Sequence, residues 1–444
     1  MKSTNSKPSP APDPDTIFAE LLQDLPPETA QLARDCKAFC RARKIQTPEQ
    51  LLRAVLLFAA LDYTEREIAA NVLLVDSTLG RLSNQAVRER LAACLPWLQA
   101  LLPKLVARPT LPALPAPMRL LALDASEITA PGGGGAWRLH ALLDVVQLQL
   151  VGLRLSDQHT GETLCNFPFA PGDVVLTDRG YSHRRGVAAV LESGGQVLRR
   201  YNPHHIPLHD AQGQALDRVA WLTGCERGET RTLAGCFTAP DGTTHAVWVH
   251  AYRLSEQAAA AARRRCRRAG ARGKYTPQAT TLWLAEFVLV LTSVPPTELS
   301  AAVVLAVYRC RWQIELLFKR YKSLLDLDQL RARGGSVLGA VWLHGKLLYA
   351  GLLEQRALRR CGPDWTRLAG PRRGTWWSVW RLLRDELTPL LTLSQCWDLT
   401  AWAAALTALA ERPRKRRLQR LPNDLLVWLQ RPLLPLVLTL EGGK

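Results

Sequence analysis

Apolar residues recur at helical spacing through the first quarter of the chain. Between Thr16 and about Val106 they fall three and four positions apart, as in the stripe Leu51, Leu52, Val55, Leu56 and Phe58, which is the mark of amphipathic helices. Tyr63-Thr64-Glu65-Arg66-Glu67-Ile68-Ala69 opens one helix, and Ser83 is placed to N-cap another that begins Asn84-Gln85-Ala86-Val87. Short helices joined by tight turns fit a helix-turn-helix-like module, and they fit a bundle that only packs equally well.

The period changes after Pro109 to Pro117, where four prolines in nine residues read as a linker. Met118 to Asp124 is a short buried-strand run ending in a carboxylate. Trp137 to Val146 and Gln147 to Leu155 add two strands, the second alternating with period two, and the glycines at 132–135 before them read as a hairpin turn. Asp173 to Asp178 is a fourth strand, again ending in Asp; His183 to Glu192 suits a helix and Gln196 to Tyr201 a fifth strand. Strands followed by strand, helix and strand predict an α/β sheet domain. From Asn202 to about Pro295 the chain is turn-rich, with strand-like pieces at Ala246 to His250 and Thr281 to Leu291. Residues 297–330 return to a helical pattern, and the remainder is helical, Trp-rich and basic, with no internal repeat. These shifts divide the chain into a flexible leader (1–15), a helical N-terminal domain (16–106), a first α/β part (107–201), a β-rich segment with a basic helix (202–296), a helical part (297–350) and a helical basic C-terminal region (351–444).

Charge narrows the partner. The 444 residues carry 57 Lys and Arg against 39 Asp and Glu, a net charge of +18, which favours a polyanion, nucleic acid ahead of an anionic membrane. Between Gln257 and Lys274 there are seven basic residues and no acidic one; a charge run is usually a solvated face, but one this unbalanced points to phosphate contact. A second basic cluster holds Arg412, Arg414, Lys415, Arg416, Arg417 and Arg420. No run of 18 apolar residues is present: Leu425 to Leu440 is broken by Gln430, Arg431, Pro432 and Pro435, so no transmembrane helix is expected. The first ten residues lack the apolar stretch of a secretory signal. Ten unpatterned cysteines without a Cys-x-x-Cys suggest buried thiols in a reducing compartment. The expected location is the cytoplasm, at the nucleoid.

Two strand-terminal aspartates in one sheet, Asp124 and Asp178, matter because ligand sites gather at such strand ends, although a lone strand-end Asp is more often a cap or turn residue. The helix after Pro296 offers a third acid. At about 100° per residue, Tyr308, Arg311, Glu315, Lys319 and Lys322 share a face roughly 80° wide, while Val307, Cys310, Ile314, Leu317, Tyr321, Leu324 and Leu325 lie opposite. One acid is thus surrounded by three cations and a phenol. A solvated face with i,i+4 pairs explains those charges but not their spacing.

That spacing, Tyr308-x2-Arg311-x3-Glu315-x6-Lys322, resembles the Tyr-Arg-Glu-Lys signature of the insertion-sequence-4 family of DDE transposases. Thr177-Asp178-Arg179-Gly180-Tyr181 looks like that family's second-Asp box and Leu123-Asp124-Ala125-Ser126 like its first. The opening helices are similar to the family's N-terminal domain, so the resemblance covers most of residues 45–350. It implies an α/β fold with an RNase H-like catalytic core in two parts (107–201 and 297–350, the second carrying the catalytic Glu), interrupted by a mainly β insertion and flanked by helical regions. The catalytic and metal-holding residues it implies are Asp124, Asp178 and Glu315. Converging acids repel one another unless divalent metal neutralises them, and hard oxygen ligands select Mg²⁺, with Mn²⁺ able to substitute. Two ions about 3.5–4 Å apart would promote in-line phosphodiester displacement. Asp124 is expected to bridge them, with Asp178 and Glu315 holding one each. Tyr308, Arg311, Trp312, Lys319 and Lys322 would bind DNA: Arg by bidentate hydrogen bonds, Lys as point charges, Tyr308 as a donor to phosphate, and Trp312, on the border of the face, by stacking on an unpaired base.

The expected partner is double-stranded DNA, both the terminal inverted repeats of an element and its target, engaged by a homodimer in a synaptic complex, with no membrane partner. The expected activity is cutting at element ends and joining to target DNA. A non-catalytic DNA-binding descendant, or a metal-dependent nuclease without strand transfer, are the alternatives. His204, His205, His209, Cys225 and Cys236 match no common zinc spacing. Asp144, inside an apolar strand, reads as locally hydrogen-bonded, and Trp376, Trp377 and Trp380 as helix packing.

Overall fold

In the computed structural model, described over residues 14–75, 82–107, 118–131, 135–157, 159–181, 183–331, 335–362, 373–393, 410–411 and 422–431, helices precede the first strand. They are α1 (Pro14–Leu22), α2 (Thr29–Asp35), α3 (Pro48–Ala60), α4 (Glu65–Val75), α5 (Asn84–Ala93) and α6 (Leu95–Ala107). Their starts follow local chemistry. Thr47 caps α3 by accepting from Gln50 N at 3.2 Å, with Pro48 in the first turn where its missing N–H is harmless. Thr64 and Glu67 exchange backbone and side-chain bonds as a capping box, Glu67 Oε2 accepting from Thr64 N at 2.7 Å. Ser83 caps α5 through Ala86 N at 3.1 Å.

Then come β1 (Arg119–Thr129), β2 (Gly135–Asp144), β3 (Gln149–Asp157), β4 (Asp173–Thr177), α7 (Arg184–Glu192) and β5 (Gln196–Arg200). They are followed by α8 (Arg218–Leu222), β6 (Thr230–Thr238), β7 (Thr244–Arg253), α9 (Glu256–Arg272), α10 (Ala279–Leu284) and β8 (Phe287–Thr292). All eight strands form one sheet in the order β3-β2-β1-β4-β5-β8-β7-β6. The pairs β1–β4 and β4–β5 are parallel and the others antiparallel. The central β4 is buried at every position, as its apolar run requires.

Period two along β1 and β4 divides the core. Leu120, Ala122, Val174 and Leu176 belong to the cluster built with the N-terminal and C-terminal helices, while Leu121, Leu123 and Val175 belong to the one built with α7, β6, β7 and β8. The C-terminal helices are α11 (Ala301–Arg309), α12 (Trp312–Leu325), α13 (Val337–Cys361), α14 (Trp376–Thr392) and the short α15 (Asn423–Leu429). The long α13 is buried over most of its length. Gly345 lets it close on Val55 and Ala59 of α3, where a Cβ would collide with Ala59 at 2.6 Å. Two buried α13 cations pair with the N-terminal region: Lys346 with Asp62 at 3.2 Å, and Arg356 with Asp24 at 3.0 Å, the latter also bonded to Glu386 of α14 at 2.9 Å. Trp380 of α14 is buried and stacks on Tyr321 of α12 with ring centroids 5.6 Å apart.

Several expectations are corrected. β1 does not end at Asp124 but continues to Thr129, because β2 pairs with it beyond that point. The piece Thr281 to Leu291 is a helical turn, α10, and only then a strand, β8. β6 has no counterpart in the apolar pattern, since much of its length is exposed. The single helix after Pro296 is two, α11 and α12, joined by a tightened turn in which Arg311 N, Gln313 N and Ile314 N bond to carbonyls three residues back. The thiols are not uniformly buried: Cys94, Cys225 and Cys310 are, whereas Cys40 and Cys165 are exposed, and all nine described cysteines are free. Asp144 is held locally, accepting from Val146 N at 2.9 Å and Gln147 N at 3.0 Å. The leader as far as residue 13, the linker at 109–117, the glycines at 132–134 and the basic cluster at 412–420 lie outside the described residues. No helix among the described residues is long and apolar enough to cross a membrane.

Candidate active site

The last parallel pairing of β1 with β4 joins Ala122 to Leu176. Two residues further along each chain stand Asp124 and Asp178, side by side and, by period two, on the face of Ala122 and Leu176. That face is the one covered by α12, whose buried Ile314, Leu317 and Tyr321 pack into the same cluster. Glu315, next to Ile314, therefore projects from α12 toward the two strand ends. All seven residues placed on the helix's inner side are buried, although the helix is interrupted.

Arg311 sits at that interruption, as the residue preceding α12, and turns its guanidinium inward. It donates to Asp124 Oδ2 at 3.4 Å and to Glu315 Oε1. Asp124 Oδ1 accepts from Ala125 N at 2.8 Å and Asp178 Oδ1 from Gly180 N at 2.7 Å. Burial pushes the Asp124 carboxyl up to about 7; the charges of Asp178 and Glu315 push the same way, against the Ala125 hydrogen bond and Arg311. The three carboxylates are thus close enough for Asp124 to feel both others. Among the described residues no three His, Cys, Asp or Glu side chains are gathered tightly enough to grip an ion as they stand; Arg311 bridges two of the acids as a stand-in cation. The donors are all hard carboxylate oxygens and their net charge is negative, which suits a hard divalent cation.

The other expected residues are spread around this centre. Tyr308 is half-buried beside Arg311, and burial raises its phenol. Trp312 is 37% exposed at the rim. Lys319 is exposed and Lys322 half-exposed, further along α12, and neither is tied to an acid among the described residues.

Several residues that the sequence pattern passes over also shape the site. Arg199 of β5, fully buried, donates to Tyr181 O at 2.7 Å and Asp178 O at 3.2 Å, fixing the loop that carries Asp178. Arg200 feels Arg179, Arg265 and Arg311, and burial first, then those charges, pulls it down to about 10. A basic cluster therefore joins the carboxylates to α9. On α9, Arg264, Arg265, Arg267 and Arg268 are exposed, but Arg263 is engaged with Glu286 and with Glu256, the latter at 2.8 Å. The sequence signal for the β5 pair was two arginines closing an otherwise apolar strand.

Residues 115–349 match the family model described as a transposase DDE domain. The chain is similar to the transposase for insertion sequence element IS421 of Escherichia coli, 33% identical over 337 residues, covering 74% of this chain and 90% of the relative. It is also similar to InsL of Escherichia coli strain K12, assigned as a transposase of insertion sequence element IS186A, 33% identical over 336 residues with the same coverage.

Proposed function

The chain belongs to the transposase DDE-domain family and is an insertion-sequence transposase, a DNA-cutting and DNA-joining enzyme, and from that premise we propose which of its residues do the work. The observation that carries the proposal is the convergence of Asp124, Asp178 and Glu315 from β1, the end of β4 and α12, with Asp124 raised to about 7 in the company of the other two. The strand order β3-β2-β1-β4-β5 supports an RNase H-like core, with residues 202–296 as an insertion that extends the sheet through β6, β7 and β8. The Tyr-Arg-Glu-Lys spacing supports membership of the insertion-sequence-4 group. Residues 16–106 are the DNA-binding candidate among the flanking regions, and the protein works in the cytoplasm at the nucleoid.

Enzymes of this family depend on divalent metal, and Asp124, Asp178 and Glu315 would hold Mg²⁺, or Mn²⁺ in its place. When bound, the metal supplies Lewis acidity for phosphodiester hydrolysis and strand transfer. Asp124 must be deprotonated to serve, and the Ala125 N–H keeps one of its oxygens oriented. Arg199 fixes the Asp178 loop, so that carboxylate meets the substrate with little rearrangement. Arg311 balances Asp124 and Glu315 while no other cation is present, and is then free to hold a phosphate of the DNA end. Lys319, Lys322 and the Tyr308 hydroxyl continue the phosphate contacts along α11 and α12. Trp312 at the rim stacks on an unpaired base, worth about 1–3 kcal/mol. The substrates are the element's terminal inverted repeats and target DNA, held by a homodimer.

Incubation of the full chain with a duplex element end and Mg²⁺ or Mn²⁺, scoring nicked, hairpin and joined products, tests this. Asp124→Asn, Asp178→Asn and Glu315→Gln should each abolish cleavage while end binding survives. Metal-dependent nicking by any one of them removes that residue from the set, and nicking without joined product would favour a nuclease.

A further inference from the structure

The helix that carries Glu315 is held from behind by residues beyond the matched span, which ends at 349. Glu315 and Tyr321 both belong to α12, about 120° apart around its axis, so one side chain reaches the carboxylates while the other enters the core. Tyr321, fully buried, donates its hydroxyl to Glu354 Oε1 of α13 at 3.3 Å. The backbone N–H of Leu150 in β3 bonds to the same carboxylate, and Arg320, 8% exposed, faces it; burial pushes the carboxyl up to about 7, against those three partners. Glu354 thus joins α12, α13 and β3 at one point.

The helix α14 closes the back of α12. Trp380 stacks on Tyr321 and lies 5.7 Å from the Arg320 guanidinium carbon. Arg384 donates to Leu324 O at 2.7 Å, a last-turn carbonyl that α12 itself cannot satisfy. Packing alone does not fix the rotation of α12 here. Glu354 and Arg320 border a cavity shared with Gln149, Leu358, Trp376 and Trp380, so this corner is not filled to interior density and the helix is not wedged against a small roll. A hydrogen bond from a buried phenol is directional and does fix it. The lever is short. A carboxylate lies roughly 5–6 Å from its helix axis, so a roll of about 10° moves it about 1 Å, and an error of about 1 Å can cost on the order of 100-fold in rate.

We propose that Glu354 is a positioning residue for Glu315, acting through the Tyr321 hydroxyl to set the rotation of α12 over the sheet. The proposal rests on the reading of Glu315 as a metal-holding residue. It gives residues beyond the matched domain a part in the reaction that requires no contact with substrate.

The test uses two variants that should fail in opposite ways. Tyr321→Phe keeps the ring on Trp380 and loses only the hydroxyl, whereas Glu354→Gln keeps an acceptor for that hydroxyl and loses the charge facing Arg320. At pH 8, calorimetric titration of the DNA-free full-length protein with Mn²⁺ should show about 10-fold weaker binding in Tyr321→Phe, with a urea midpoint close to the parent's. Glu354→Gln should show the reverse, a lower midpoint with most of the Mn²⁺ affinity retained. Glu354→Leu, which loses acceptor and charge together, should weaken Mn²⁺ binding as Tyr321→Phe does, and combining the two should weaken it no further. Single-turnover nicking of an element-end duplex should fall about 10- to 100-fold in Tyr321→Phe, while its metal-free affinity for that duplex stays parental. Parental Mn²⁺ binding in Tyr321→Phe, or losses that follow the urea midpoint across the variants, would overturn the proposal and leave Glu354 as a packing residue. A Glu315→Gln control marks the other failure: if it binds Mn²⁺ like the parent, the reading of Glu315 as metal-holding fails instead.

Discussion

Replacing Asp124 by Asn should stabilise the protein, and the gain should depend on pH. The folded carboxyl is raised from 3.8 to about 7, chiefly by burial under α12. A folded-state value above the unfolded one means that the group's stabilising contribution is fully present below about pH 4 and is lost as pH rises through about 7. Each unit is worth about 1.4 kcal/mol, so above pH 8 the ionised side chain burdens the fold by about 4 kcal/mol. Asn keeps the shape and can accept the Ala125 N–H, and Arg311 retains Glu315. The loss of Asp124 as a partner of Arg311 is a nearly constant offset, so the informative quantity is the difference between two pH values. By urea denaturation, the advantage of Asp124→Asn over the parent should grow by about 3 kcal/mol between pH 4.5 and pH 8.5. Mn²⁺ at about 100 times its dissociation constant should return roughly 2.7 kcal/mol to the parent and much less to the variant. Parallel pH profiles for the two proteins would refute desolvation of Asp124 as the cause of its raised proton affinity.

On α9, changing Arg264, Arg265, Arg267 and Arg268 to Gln should flatten the dependence of log K on log salt by about 0.9 for each duplex phosphate that the helix no longer neutralises; an unchanged slope makes them solvated cations. Arg263→Gln should leave that slope alone and lower stability only modestly, because the buried Glu286 loses one arginine and keeps Arg227 and Arg253. Arg356→Met should cost about 1–3 kcal/mol by thermal or urea unfolding, since Asp24 keeps Arg359 and Glu386 keeps Arg360 but both lose the buried guanidinium they share; a neutral result means that Arg359 and Arg360 suffice for both acids. Leu317→Ala, on the inner face of α12, should lower stability by about 2–5 kcal/mol while the ratio of nicked to hairpin product stays that of the parent.

What could be read from the sequence was whatever repeats with a period or sits at a spacing. The strands from 118 to 201 announced themselves through apolar runs, and the face of α12 that packs inward followed from residue phase alone. β6 was silent because its side chains alternate between exposed and half-exposed positions. The union of β6, β7 and β8 with the first five strands depends on β5 pairing with β8, as in Leu198 with Thr292, a contact between segments far apart in the chain that no local pattern encodes. The inward turn of Arg311 was hidden for a different reason. A wheel drawn at a uniform 3.6 residues per turn misplaces residues across a tightened turn, and the bonds that tighten it appear only once the core is packed.

The site's chemistry and its strain have one origin. Asp124 and Asp178 stand at equal distance past the Ala122–Leu176 pair, so sheet register sets them side by side, and their face is the one α12 must cover to bury Ile314, Leu317 and Tyr321. On an open face Asp124 would titrate near its ordinary value and its attraction for a cation would be weak. Beneath α12 it loses water, its neighbours' charges are less screened, and the same interactions that raise its proton affinity raise its affinity for any cation that can reach it. Proton, guanidinium and divalent metal then compete for one surplus of negative charge. Arg311 is placed to lose that competition gracefully, because Glu315 keeps one of its bonds when Asp124 lets go. Asp178 is served differently, by the buried Arg199 that donates to its backbone carbonyl at 3.2 Å. Under the proposed metal-holding role, a cation drawn to Asp124 would have Arg311 to displace, and a DNA phosphate would offer the released guanidinium a second partner beside Glu315.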